Sequence, residues 1–251
     1  MRRTVRILAV AGIVAALVGG ADATALASST PVTAALTKNG SFVTALYADY
    51  LGRSPSQSDI DYWSAKLAAG APRTVISDSF VDSDEYRMIR ITEAYQHVLG
   101  RGVDPGGATT WLNYMKAGVI TTDDIEKNLY QSNEFYQIAA DNNHINPNDG
   151  AFVDSLYYYI LGRNVVGDEG QRWLSSPFPE PRSYYVNGIY GSLEAARTRV
   201  TGMYQRYLGR TPDEQGIEVW ANVDLAIGDS ATRKGITSSD EYLLLAANRF
   251  H

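Results

Sequence analysis

The chain of 251 residues contains no cysteine. That excludes disulfide staples, thiolate metal sites, a cysteine nucleophile and a lipid carried on an N-terminal cysteine. Histidine is almost as scarce. His97, His144 and His251 are the whole set, and their spacing offers no zinc ligand pattern. Positive charge is short as well, with 22 Lys and Arg against 28 Asp and Glu, a formal net charge of −6. Such a chain has no electrostatic footprint for nucleic acid and no basic stripe for anionic lipid. It also has no glycine-rich loop to cradle phosphate and no serine–histidine–acid arrangement. No cofactor and no metal are expected.

One long apolar run is present, at the start. Arg2, Arg3 and Arg6 precede Ile7–Val18, and Ala25-Leu26-Ala27 follows as a small-residue cleavage site, so residues 1–27 read as a signal peptide. The run falls short of the roughly 18 residues expected of a spanning helix. Cleavage removes three arginines and Asp22, taking the net charge of residues 28–251 to −8. The expected product is secreted, extracellular or associated with the cell envelope, with no membrane insertion after cleavage. Residues 28–40, small and polar, read as a linker.

The remainder repeats itself. A tyrosine followed by Leu-Gly-Arg, with a tryptophan ten residues past the arginine, occurs four times. The copies hold Tyr47, Gly52, Arg53 and Trp63; Tyr95, Gly100, Arg101 and Trp111; Tyr157, Gly162, Arg163 and Trp173; Tyr204, Gly209, Arg210 and Trp220. A serine and a glutamate close each copy, as Ser83 and Glu85, Ser132 and Glu134, Ser192 and Glu194, Ser239 and Glu241. Self-similarity at a period of about 48 residues is the mark of a tandem array.

Within copy one, Phe42, Val43, Leu46, Tyr47, Tyr50 and Leu51 recur at helical steps, and Gly52 supplies the stop. A second helix is expected from near Ser58 to Gly70, carrying Trp63 inward, and a third through Val75, Ile76 and Phe80. Ser83 caps a fourth that runs unbroken to Leu99, so neighbouring copies share helices. The serine-to-tyrosine interval is 12 residues from Ser83 to Tyr95 and from Ser192 to Tyr204, but 25 from Ser132 to Tyr157. The polar segment 141–150 accounts for the excess. The expectation is therefore an all-α fold of two two-repeat modules, 41–140 and 151–251, joined at 141–150. Copy three departs from the pattern, with Pro177, Pro179 and Pro181 cutting its second helix and Ala195 where the others place an aromatic.

The repeated arginines and glutamates have two readings: an internal ion pair tying one helix end to the next helix start, or a ligand-binding arginine in each copy. The tryptophans read as core, the alternative being exposed platforms for sugar rings. Acidic clusters such as Asp59 with Asp61, and Asp123 with Asp124 and Glu126, sit at helix starts, where carboxylates cap. An enzyme reading would take two of them as the acid and base of a glycoside hydrolase. The stretch 141–149 offers oxygen ligands without the ordered acidic positions of a calcium loop. Tyrosine is abundant, with 17 in all. Three successive helical positions, 157–159, cannot all face one core. Tyr158 and Tyr159, with Tyr184 and Tyr185, are the candidate ligand-binding surface.

The string Tyr47-x3-Leu51-Gly52-Arg53-x-Pro55, then Trp63, Gly70 and Ser83-Asp84-Glu85-Tyr86, resembles a bacterial family known as domain of unknown function 4214, and copy four matches it closely too. The resemblance extends over residues 42–245. It implies exported or surface proteins, often beside calcium-repeat, surface-layer or carbohydrate-active modules, and brings no agreed catalytic residues. The functional expectation is a non-catalytic binding or scaffolding protein whose partner is a cell-wall or extracellular glycan or another surface protein. A secreted hydrolase of cell-wall or extracellular polysaccharide is the alternative, and a purely structural spacer a third.

Overall fold

The structure, a computed structural model, describes residues 36–251; the expected signal peptide and residues 28–35 of the expected linker lie outside them. The described residues contain fourteen α-helices and no strand. Copy one supplies α1 (Lys38–Leu51), α2 (Gln57–Ala68) and α3 (Arg73–Val81), and α4 (Asp84–Leu99) passes into copy two. There follow α5 (Pro105–Lys116), α6 (Asp124–Tyr130) and α7 (Asn133–Asn142). Copy three has α8 (Asp149–Leu156) with a π-helical turn (Tyr157–Leu161), then α9 (Glu169–Leu174) and α10 (Arg182–Tyr190). Finally come α11 (Leu193–Leu208), α12 (Glu214–Ile227), α13 (Asp229–Thr237) and α14 (Asp240–Arg249).

The helix ends follow from the repeated residues. Gly52, Gly100, Gly162 and Gly209 stand at φ of 65°, 67°, 70° and 66°, the left-handed conformation that stops a helix without a Cβ penalty. Ser83, Ser132, Ser192 and Ser239 each accept a hydrogen bond from the backbone N–H three residues on, and so start α4, α7, α11 and α14. Ser56, rather than the expected Ser58, caps α2, in a reciprocal box with Asp59. Asp104 and Asp213 cap α5 and α12. Asp168 makes no such bond, and α9 is only six residues long.

Two expected boundaries move. Thr37 caps α1, so helix begins inside the segment read as linker. At 141–150, α7 continues to Asn142 and Asn148 already caps α8, which leaves only 143–148 outside helix.

The expected division into modules 41–140 and 151–251 is corrected by the packing. The first apolar cluster joins Phe42, Leu46, Tyr50, Phe80 and Tyr86 to Val200, Tyr207, Ile236 and Tyr242, hence copy one to copy four. The second joins Ile91, Tyr95, Ile125 and Phe135 to Phe152, Leu156, Val186 and Ala195, hence copy two to copy three. Neither half of the sequence owns a core. The described residues form one closed unit in which α14 lies against α1 much as α7 lies against α8. The long helices α4 and α11 run through both clusters, because their two ends carry apolar residues for different partners.

Candidate functional site

The recurring signature builds the same small assembly four times. Arg53 grips Glu85 with Nε–Oε1 at 2.6 Å and Nη2–Oε2 at 2.9 Å, and its guanidinium lies 4.8 Å from the Tyr47 ring centre. Arg101 and Glu134, Arg163 and Glu194, and Arg210 and Glu241 repeat the two-pronged grip. In those copies the guanidinium sits 5.1 Å from Tyr95, Tyr157 and Tyr204. The arginines are therefore spent internally. The pairs are half-exposed, with Arg101 and Glu134 each 42% accessible, so each pair contributes about 1 kcal/mol or less.

The tryptophans, expected as core, pack against the two clusters from their edges. All four are half-buried, at the rims of the two clusters. In copies two and three the indole N–H donates to the signature tyrosine, Trp111 to Tyr95 and Trp173 to Tyr157, both at 3.0 Å. In copies three and four the benzo edge of the ring packs over Gly188 and Gly235.

The four candidate tyrosines do not form one surface. Tyr185 is buried in the second cluster with its ring against Phe152. Tyr184, exposed, stacks edge-on with Trp173, and Tyr158 is exposed on the π-helical turn. Tyr159 turns the other way. It packs on Phe135, faces His97 and lines a cavity between the copies. Successive side chains on a helix project in different directions, so the two rings meet edge to edge, 5.5 Å between centres, with Tyr158 outward and Tyr159 inward.

That cavity, about 360 Å³, is the candidate site. Its aromatic walls are Tyr130, Tyr159, Tyr190 and Tyr207, and its charged walls are Arg90, His97, Arg199, Arg206, Arg233, Glu126 and Asp229. It reaches solvent beside His97 and Arg206, whose side chains are about half-exposed. Arg90 and Arg199 occupy equivalent places, each seven residues past the serine that caps its helix. Glu126 and Arg233 also correspond, each six residues before a capping serine, but their charges are opposite. The cavity is thus built at a position where the copies differ.

Its ion pairs share partners. Glu93 accepts from Arg90 at 2.7 Å and from Arg206 at 3.0 Å. Glu126 lies 3.6 Å from His97 Nδ1 and 3.9 Å from Arg90, attractions too long for hydrogen bonds. Burial pushes the Glu126 carboxyl up, but His97 and Arg90 outweigh it and hold it below its ordinary value. The same contact with Glu126 raises His97. Arg199 binds the buried Asp224 and donates to the Tyr190 carbonyl at 2.8 Å. Arg233 meets Asp229 at 2.8 Å.

Behind Asp229, the starts of α6 and α13 meet. Ser230 Oγ donates to Asp123 Oδ1 at 2.5 Å, and Asp123 and Asp229 face each other. Burial and the neighbouring carboxylate push Asp123 up to about 7. Burial also acts on Asp229, but Arg233 outweighs it and holds Asp229 well below the carboxylate range. Two adjoining carboxylates thus share one proton near neutral pH. Sequence reasoning placed Asp123 and Glu126 among helix-start acids and did not single out Arg90, Arg199 or Arg233. The available signal was the matched position of Arg90 and Arg199 together with the opposite charges at 126 and 233.

Residues 23–88 and 91–139 match the family model described as Domain of unknown function (DUF4214). Over these residues the chain resembles the DUF4214 family. No curated protein and no solved structure matches the chain. The DUF4214 segments cover copies one and two; the Arg–Glu and Arg–Tyr contacts described for them recur in copies three and four, and the Trp–Tyr bond of copy two recurs in copy three. In this chain the repeated arginines and glutamates serve as framework. The cavity uses Arg90, which lies between the two matched segments, and Arg199 and Arg233 from the part beyond residue 139.

Proposed function

We propose that this chain is an exported, non-catalytic binding protein of the cell envelope or extracellular matrix, and that its ligand is a glycan fragment held in the central cavity. The observation that carries the reading is Arg233, which is only 8% accessible and lines the cavity, yet has no protein partner for Nη1. Buried polar groups are normally paired, and an unpaired one in a cavity wall is a natural ligand contact. Tyrosine rings with interspersed donors suit the mixed apolar faces and hydroxyls of a sugar. The exposed Tyr158 and Tyr184 then become peripheral.

The hydrolase reading draws support from the contrast between Asp123, raised, and Asp229, lowered. Against it stands their direct contact, since glycoside hydrolysis needs two carboxyls about 5–9.5 Å apart with the sugar bond between them. The test is a pull-down of residues 28–251 on cell-wall and soluble glycans, with and without calcium, alongside an assay for released reducing ends. Retention without release is expected. Release that disappears in Asp123→Asn would establish the hydrolase instead, and capture of a surface protein with no glycan retention would overturn the glycan assignment.

A further inference from the structure

We infer that the central cavity selects a ligand carrying a small organic oxyanion, a carboxylate or a phosphate ester, and that Arg90 and Arg233 hold the charge. The inference rests on the cavity being the binding site and adds the chemical class of what enters it.

Both guanidinium groups are buried, with side-chain accessibilities of 11% for Arg90 and 10% for Arg233. Each lies within reach of the other's charge. Two like charges withdrawn from water are costly unless opposite charge neutralises both. The carboxylates available are already divided. Glu93 serves Arg90 and Arg206, Glu126 serves His97 and Arg90 at long range, and Asp224 is taken by Arg199. Asp229 serves Arg233 and faces Asp123.

The groups left over point to the same sign. Arg90 Nε and Arg233 Nη1 have no protein acceptor, and neither does the Tyr130 hydroxyl. All three belong to cavity-lining residues and all can donate. Asp229 Oδ1 is the one lining carboxylate oxygen without a partner, and it is on the carboxylate that faces Asp123. A cavity wall whose spare hydrogen-bonding capacity is mostly N–H and O–H, with two guanidinium groups among the donors, complements an oxyanion. Its tyrosine rings complement the organic part, and a volume of about 360 Å³ admits about one hexose unit, free or at the end of a chain.

Gly202 provides a way to close the cavity without removing a charge. It lines the cavity from α11, and a side chain built there meets nothing within 4 Å. Residues 28–251 would be titrated calorimetrically with glucuronate, glucose 6-phosphate and glucose, using the parent chain, Arg90→Gln, Arg233→Gln, Gly202→Met and Tyr158→Ala. Binding of glucuronate or glucose 6-phosphate at least tenfold tighter than glucose is expected. That binding should weaken about tenfold or more in either arginine variant and vanish in Gly202→Met, which should keep its melting transition. Whichever of the two anions binds more tightly distinguishes a carboxylate from a phosphate ester.

Glucose binding as tightly as the anions, and lost in Gly202→Met, would overturn the oxyanion while leaving the cavity as the site. Binding that survives Gly202→Met and disappears in Tyr158→Ala would overturn both. Failure of both anions to bind at millimolar concentration would overturn the oxyanion assignment, and the glycan pull-down would still decide the cavity reading.

Discussion

Ser41 and Phe250 are joined by a hydrogen bond from the serine hydroxyl to the phenylalanine carbonyl, across almost the whole length of the described chain. Nearby, Asp49 takes Arg249 with two bonds of 2.9 Å and the Tyr242 hydroxyl at 2.7 Å. The start of α1 and the end of α14 therefore close the unit. The α7–α8 junction has the same position in the other half, but there the chain is continuous through 143–148.

This equivalence predicts that the order of the halves is interchangeable. A circular permutant that joins residue 251 to residue 36 by a short glycine-serine linker, and opens the chain between 143 and 148, should fold. Its circular dichroism spectrum should match that of the parent. Residues 36–142 alone should lack a cooperative thermal transition, because their apolar residues divide between two clusters that both need the second half. A fragment that melts cooperatively as a monomer would show that the halves are independent modules after all.

The helices were legible in the sequence because their signals are local: periodic apolar residues, a capping serine and a left-handed glycine in each copy. Gly52 and Ser83 state where α1 ends and α4 begins without reference to anything distant. The pairing of copy one with copy four was not legible, because Phe42 and Tyr242 look alike whichever copy they pack against. The cavity was hidden for a related reason. Repetition drew attention to Arg53, Arg101, Arg163 and Arg210, which are satisfied within each copy, while Arg90 and Arg233 belong to no repeated string. Proximity across the closed unit is what gives them meaning.

The two kinds of arginine should respond differently to substitution. A double-mutant cycle on Arg101 and Glu134, each replaced by alanine, should give a coupling of about 0.2–1 kcal/mol in urea denaturation, as expected of an exposed pair. Asp224→Ala should cost about 3–5 kcal/mol, because it leaves Arg199, 16% accessible, without its carboxylate. Equal costs at the two sites would show that burial does not separate them.

Gly235 and Gly188 predict a further asymmetry between copies. A Cβ at either would come within 3.0 Å of the Trp220 or Trp173 ring, so alanine there must displace the indole. Gly235→Ala should destabilise by about 1–3 kcal/mol, the usual cost of overpacking. Gly202→Ala, also within a helix but with open space around it, should instead be neutral or stabilising by up to about 1 kcal/mol. The corresponding places in copies one and two are Ser79 and Asn128, so their tryptophans have side chains where these have glycine. Thermal melts of the two alanine variants, measured side by side, would reveal any failure of this ordering.

The Asp123–Asp229 pair gives the chain a pH dependence of known sign. Asp123 is raised to about 7 by burial and by Asp229, whereas in the unfolded chain it ionises near 3.9. Between those values the unfolded state has released a proton that the folded state keeps, so this group's contribution falls as pH rises from about 4 to about 7. Asp229 is lowered chiefly because Arg233 outweighs its burial, and its contribution is lost only as pH falls below the ordinary carboxylate range. His97, raised by Glu126, adds a loss in the same direction as Asp123, as pH climbs through its own folded value. Asp123→Asn should imitate the protonated acid, which donates to Asp229 and carries no charge. The parent should therefore melt at a lower temperature at pH 8 than at pH 5, and the Asn variant should show a flatter profile with its gain concentrated at pH 8. Replacing His97 by glutamine in the same variant isolates the remaining slope. A parent whose melting temperature rises steadily from pH 5 to pH 8, or an Asn variant that parallels it throughout, would mean that Asp123 is ionised in the folded chain and that no proton is shared between α6 and α13.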